Sequence, residues 1–438
     1  MNDDGMLAIV DVVREKVIVT AGVTKGESMS ASQKDRDLVR AVTERFMAVA
    51  TLPKQAELTE IWKRHNRLER VRPLVLNSPE GVWAEFLATV PIECEDPTCR
   101  GIEYSLKGRL YHWDHLRDDS PIDPVYYVSL AQSSTDWGIA ADVTSPDHNF
   151  GASHYNTVIK QESDVDLIHG PKVTVDSEET NRNYEVVNEL IGDIIPVKVR
   201  GTAGFWFSPM DIYIQWRGIQ EVMMDMITDP GWVHRAMERI TQGMMELVDQ
   251  LEAQNALGLN NGADGVGSGG IGCSDELPGA GFDGKHVRPI DMWGHATTQI
   301  FSEVSPAMHE EFAIPYDIQF LERFGLNCYG CCEPLHNKMD LVRKLPRVRR
   351  VSMSPWIDPA KAAEAASSDF IFSYKPNPAY LSSDSWDLNL CRDELRNIFE
   401  LTRGGVVECV LKDTHTCRGE PERYWQWSEM AVQLAQEY

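Results

Sequence analysis

The stretch LNCYGCCEPLHNKMDLVRKLPRVRRVSMSPWIDPAKAAEAASSDFIFSYKPNPAYL, residues 326–381, decides the fold class. It holds three short apolar runs: LNCYG (326–330), RRVSMSP (349–355) and DFIFSYKP (369–376). Each has the length of a buried strand. Helical segments lie between them, near 335–344 and from Asp358–Pro359 onward, where an acid and a proline mark a helix start.

The same rhythm extends in both directions. Downstream, a helix near 391–403, the strand GVVECVLK (405–412) and a last helix near 421–436 follow. Upstream, Ser305–Pro306 starts a helix over 306–324. Asp229–Pro230 starts another that runs to about Leu257, with Val233, Met237, Ile240, Met244, Met245 and Val248 at helical spacing. ALGLNNGADGVGSGGIG (256–272) reads as a strand running into a glycine-rich loop, and PVYYVSLAQ (124–132) and PVKVRG (196–201) read as further strands. VRPLVLN (71–77) reads as the first strand, followed by the helix start Ser78–Pro79–Glu80. Alternating buried strands and helices predict a parallel sheet wrapped by helices, and about eight such units close most economically into a (β/α)8 TIM barrel. An open doubly wound sheet is the alternative, but no GxGxxG fingerprint stands at a first strand–helix turn. Residues 1–68 read as an N-terminal helical extension and 69–438 as the barrel, with an inserted loop or hairpin region at about 139–180.

Composition narrows the function. The chain has 438 residues, 42% of them hydrophobic, and a net charge of -25. Such an acidic surface repels phosphate backbones and anionic lipid, so no nucleic-acid partner is expected. No apolar run approaches the roughly 20 residues of a membrane span, and the acidic N-terminus is unlike a secretory signal. A cytoplasmic protein with reduced cysteines is expected.

In a barrel the chemistry sits where strands end. Cys331, Cys332, Glu333 and His336 follow the strand at 326–330, and thiolate, imidazole and carboxylate are the ligand types of zinc. One of Cys331 or Cys332 is the expected ligand, completed by Glu333 or a distant residue; the plainer reading makes Cys328 a core residue and His336 a helix decoration. His415, just past the last strand, is a candidate ligand or acid–base group, beside Glu408, Cys409, Lys412, Asp413 and Cys417. Asp275 and Glu276 stand beside the glycines of 267–282 as a possible lid or substrate clamp, and Asp291 and His295, four apart, suit one helix face. Tyr329, Trp206, Phe207, Trp356 and Tyr374 are candidates for walling a flat ligand. No GxSxG elbow, P-loop or HExxH is present.

Over about 222–430 the chain resembles the uroporphyrinogen decarboxylase superfamily. SPAMHEEFAIPYDIQFLERFGLNCYGCCEPL is similar to that family's run into the strand bearing its H-x-C-G segment. SYKPNPAYL is similar to its GNxDPxxL strand end, and GGVVECVLKDTHTCRGEPERYW to its last strand. The family's arginine-rich PVWxMRQAGR segment is missing; RPLVLNSPEGVW stands in its place. The resemblance therefore implies the methyltransferase branch, a zinc-assisted O-demethylase passing a methyl group to a separate corrinoid-binding protein. Aligned on Gly330, the family's zinc His and Cys fall on Asn327 and Tyr329, and its C-terminal ligand at or beside His415. The implied roles are zinc held by Cys331 or Cys332, Glu333 and His415, with His295 or Asp291 as the acid. Tyr329, Trp206 and Trp356 would pack the ring of a methoxylated aromatic donor. A metal-free decarboxylase of a porphyrin or aromatic acid, or a non-catalytic tetrapyrrole-binding barrel, are the other readings.

Overall fold

The computed structural model describes residues 31–144, 154–366 and 368–438. Most helix starts expected from sequence are made by side-chain caps. Ser32 accepts from the Asp35 amide at the start of α1 (Gln33–Ala50), which is followed by α2 (Pro53–Asn66). Asp229 accepts from the Trp232 amide at the start of the long helix Pro230–Ala253, whose residues Val233, Met237, Ile240, Met244 and Val248 are buried and whose Met245 is half-buried. The single helix expected over 306–324 is two, Pro306–Phe312 and Ile314–Leu321, broken at Ala313. Pro315 has no N–H to give the Glu311 carbonyl and its ring crowds that carbonyl, which accounts for the break.

The central sheet has six parallel strands. In chain order these are β1 (Leu74–Asn77), β2 (Trp293–Ala296), β3 (Leu326–Tyr329), β4 (Val348–Met353), β5 (Ile371–Tyr374) and β6 (Val406–Leu411). In space they run β1-β6-β5-β4-β3-β2. Strands Tyr126–Ser129 and Val197–Arg200 form a separate parallel pair. The strand expected at 256 is reduced to one bridge, Thr202 to Leu257, and Phe207 bridges Ala296 at the edge of β2. The ladder among the described residues is thus a six-stranded sheet, not eight continuous strands. Asparagines and glycines over 258–272 interrupt the apolar run that a buried strand needs.

The segment at 139–180 contains the antiparallel pair Asp142–Thr144 and His154–Asn156, and its strand Val173–Val175 pairs with Gln132–Ser134. Residues 1–30 of the expected extension lie outside the described residues. The rest of that extension is tied to loops beside the sheet. Trp62 Nε1 donates to the Asp119 carbonyl at 2.7 Å, and Asn66 Nδ2 to the carbonyls of Ile271 and Cys273 at 2.8 Å. One further element was not expected. Asp291–His295 is not a helix face: Trp293–Ala296 is β2, buried at every position. No helix among the described residues is long and apolar enough to cross a membrane.

Candidate functional site

Strands buried on both faces are expected to be apolar throughout. Several strands here break that rule at alternate positions: Arg350 and Ser352 on β4, Ser373 on β5 with Lys375 just beyond it, and Glu408 on β6 with Lys412 just beyond it. Alternation puts each set on one face of the sheet. All six side chains are buried.

The lower layer of this face is a paired ion network. The Arg350 guanidinium pairs with Glu408 at 2.8 Å and donates to Asn66 Oδ1 at 2.8 Å. His65 Nε2 lies 3.1 Å from the other Glu408 oxygen, and Ser373 Oγ donates to Glu408 at 2.5 Å. Although burial opposes ionisation, Arg350 and the hydrogen bond from His65 hold the Glu408 carboxyl down at about 2. The glycine-rich loop lies against this layer. A Cβ on Gly267 (φ +62°) would stand 2.5 Å from Cys328 Cβ and 3.0 Å from His295 Nδ1. A Cβ on Gly270 (φ +92°) would stand 2.5 Å from the Arg350 guanidinium and 2.7 Å from Glu408 Oε1. Only glycine permits both the backbone angle and the approach.

Toward the C-terminal ends of the strands the pairing becomes incomplete. Lys375 Nζ donates to Ser373 Oγ (2.6 Å) and to the Ser373 carbonyl (3.1 Å), and burial pushes its pKa down to about 8. Lys412 Nζ lies 3.7 Å from Cys331 Sγ, 3.3 Å from Ser268 Oγ and 3.5 Å from Asp413. The Cys331 and Cys332 sulfurs are 3.5 Å apart. The hydrogen bond from Cys332, with help from Lys412, lowers the Cys331 pKa, while holding that proton raises that of Cys332. Two carboxyls near this edge lean toward the neutral form. Burial, then the nearby Glu333 charge, pushes Asp211 up to about 7, and its buried Oδ2 makes no hydrogen bond. Burial likewise pushes Glu80 up to about 7, against the pull of Lys412. Glu80 (φ +47°) and Asp413 (φ +57°) both hold left-handed backbone, a strained conformation for a side-chain-bearing residue.

The residues proposed as zinc ligands are not disposed as a metal site. Glu333 is saturated: it accepts from Thr297 Oγ1 at 2.8 Å, from the Cys331 amide at 2.9 Å and from the Thr298 amide at 3.2 Å. His415 is exposed, whereas Cys331 is buried against Lys412. Among the described residues no three His, Cys, Asp or Glu side chains surround a common point, so the donor set does not fit a zinc ion.

The other sequence candidates fall in varied places. His295 is buried on β2 beside Trp206 (ring centroids 4.3 Å), and neither ring nitrogen makes a hydrogen bond. Burial and Lys412 push its pKa down to about 3, so it is a neutral ring and not a proton-loaded acid. Asp291 precedes β2, where Arg288 pairs with it at 2.8 Å and lowers its pKa against the effect of burial; it is ionised and structural. Tyr329 donates from its hydroxyl to Asp317 (2.9 Å), and His309 Nε2 stands 2.8 Å from the same oxygen, so its polar end faces the helices at 306–321. Asp275 pairs with Arg67, and Glu276 with Arg349 at the N-terminal end of β4, which takes both acids away from the edge where the strands end. Trp356 is 68% exposed and walls nothing. Sequence reasoning singled out Cys331, Cys332, Glu408 and Lys412 but not Asp211, Lys375 or Arg350. For the last two, a charge at an alternate position of an apolar strand was the available signal. Asp211 has none, because its raised pKa depends on burial and then on Glu333 across the fold.

No family profile matches the chain, and no curated protein is similar to it in sequence. Among solved structures, a methyltransferase from Methanosarcina mazei superposes with a TM-score of 0.48 at 10% identity, covering 87% of this chain and 98% of that one.

Proposed function

We propose that the protein is a methyltransferase acting at the C-terminal edge of the sheet, removing a methyl group from a methoxylated aromatic compound and passing it to a corrinoid carried by a separate protein in the cytoplasm. The sequence blocks at 305–335, 373–381 and 404–425 support this reading, as does the gathering of unusual acids and thiols at one sheet edge. In the same reading the six-stranded sheet is the larger part of a closed (β/α)8 barrel. The bridges of Leu257 to Thr202 and of Ala296 to Phe207 support that closure on the β2 side.

The observation that carries the proposal is Asp211. Cleaving an ether C–O bond leaves the electron pair on oxygen, and a phenolate is a better leaving group if a proton or a positive charge meets it. Asp211 holds a proton near neutral pH and has an oxygen with no partner in the fold. Lys412 supplies the positive charge that the zinc reading assigned to a metal. The corrinoid, when its carrier docks, supplies the nucleophile that accepts the methyl group. The chain's own work is to hold the ether oxygen between Asp211 and Lys412 and to keep water away. Phenol release from an aryl methyl ether, assayed with a reduced corrinoid protein, tests this. Asp211→Asn is expected to lower the rate about 10²–10⁴-fold. Dialysis against a chelator is expected to leave the rate unchanged; full activity in Asp211→Asn, or activity restored only by added zinc, overturns the mechanism.

A second reading has one observation in its favour. Lys375 is buried and none of the ion pairs among the described residues includes it, which suits decarboxylation of an aromatic acid. Carbon dioxide release without methyl transfer would establish it.

A further inference from the structure

The Cys331–Cys332 pair has no part in the ether cleavage and is not disposed to hold zinc, yet its two sulfurs lie 3.5 Å apart. Of the nine cysteines eight are buried, and Cys332 alone is half-buried. The backbone beside the pair is fixed. The Cys331 amide donates to Glu333 Oε2 at 2.9 Å, and Ser352 Oγ donates to the Cys331 carbonyl at 3.0 Å. Lys412 Nζ, itself buried, stands 3.7 Å from Cys331 Sγ. A lysine ammonium at a sulfur favours the thiolate, the form in which cysteine reacts. One proton shared across the contact lets either sulfur carry the negative charge. Neighbouring residues on a trans peptide have Cα atoms about 3.8 Å apart, whereas a disulfide usually spans at least about 4.4 Å. A bond between these sulfurs is therefore strained, and strained disulfides are the readily reduced kind.

We propose that Cys331 and Cys332 form a reversible oxidation site, which a hydroperoxide converts into a disulfide between adjacent residues. With hydrogen peroxide, the Cys332 thiolate attacks one oxygen and the O–O bond breaks. A sulfenic acid forms on Cys332 and hydroxide leaves. Cys331 gives its proton to that hydroxide, making water, and its sulfur attacks Cys332, expelling a second hydroxide. Two electrons pass from the sulfurs to the peroxide, which ends as water and hydroxide. A dithiol reductant reverses the change by thiol–disulfide exchange. Oxidation takes the anionic sulfur away from Lys412, so the charge at this sheet edge follows the redox state. The site is independent of the methyltransferase reading, because its readout is covalent.

Mass spectrometry of the full chain tests the proposal. The reduced protein, freed of reductant, is treated with hydrogen peroxide, denatured in iodoacetamide and digested with trypsin. The tryptic peptide 324–338 holds Cys328, Cys331 and Cys332. After peroxide it is expected to lose two hydrogens and to carry a single alkyl group, on Cys328. Dithiothreitol before alkylation is expected to restore three. Cys332→Ser is expected to abolish the link. Cys331→Ser leaves no resolving thiol, so dimedone is expected to trap a sulfenic acid on Cys332. Both variants replace one sulfur by oxygen and are expected to unfold in urea at the wild-type midpoint. Three alkyl groups on the peroxide-treated wild-type peptide, a link that includes Cys328, or no dimedone adduct in Cys331→Ser overturns the proposal.

Discussion

Two layers of charge share one face of the sheet and differ in how far they are paired. In the lower layer, Arg350, Glu408, His65, Asn66 and Ser373 are linked by ion-pair and hydrogen-bond distances of 2.5–3.1 Å, with only His65 Nδ1 left over. In the upper layer, Lys375 lacks an anion, Asp211 has an oxygen without a donor, and Cys331 leans on Lys412 at 3.7 Å. Both layers are buried, so burial alone does not mark function. The difference is charge pairing: Arg350 and Glu408 neutralise each other in the lower layer, whereas none of the ion pairs among the described residues includes Lys375 in the upper one.

The largest effect that would break this contrast is in the lower layer. Glu408→Ala leaves Arg350 as an uncompensated buried charge and is expected to cost about 3–5 kcal/mol in urea unfolding, while Lys375→Met in the upper layer is expected to cost nothing or to stabilise. Equal destabilisation by the two would erase the distinction.

Titration sharpens it next. Burial lowers the Lys375 pKa from 10.5 to about 8, so above that value the folded state loses its proton while the unfolded chain keeps one. Wild-type stability relative to Lys375→Met therefore rises between about pH 8 and 10.5, by up to roughly 3 kcal/mol, and is lowest below pH 8. A flat difference across that window contradicts an unbalanced ammonium.

Asp211 shifts in the opposite sense for the same reason. Its carboxyl stays protonated in the fold up to about 7, so its contribution to stability is full near pH 4 and declines toward pH 7. As a proton donor it should give a kcat/KM that falls above about pH 7, a limb absent from the residual activity of Asp211→Asn. The smallest effect is expected at Trp356. Its side chain is 68% exposed, and Trp356→Ala should change stability in urea unfolding by less than about 0.5 kcal/mol.

Much of the fold was readable from local pattern. The strands at 71–77, 326–330, 349–355, 369–376 and 405–412 all appear within a few residues of their expected bounds, because their apolar runs lie between capped or proline-started helices. β2 was misread because Trp293–Ala296 is short, contains Gly294 and His295, and owes its strand form to its neighbour β3. The site was less readable. Cys331, Cys332 and Glu333 invite a metal by composition, yet Glu333 is consumed by Thr297 and two backbone amides, which no spacing in the chain reveals.

The order of the residues alone therefore settled the alternation of strands and helices and the direction in which chemistry should be sought. Both follow from short-range periodicity and capping, which act within a few residues. Three-dimensional packing decided which charges are balanced, because Arg350 and Glu408 are 58 positions apart and Asn66 lies 284 from Arg350. Whether a buried group is spent or free depends on partners that distant, and the electrostatic cost of an unmatched charge exists only once water has been excluded.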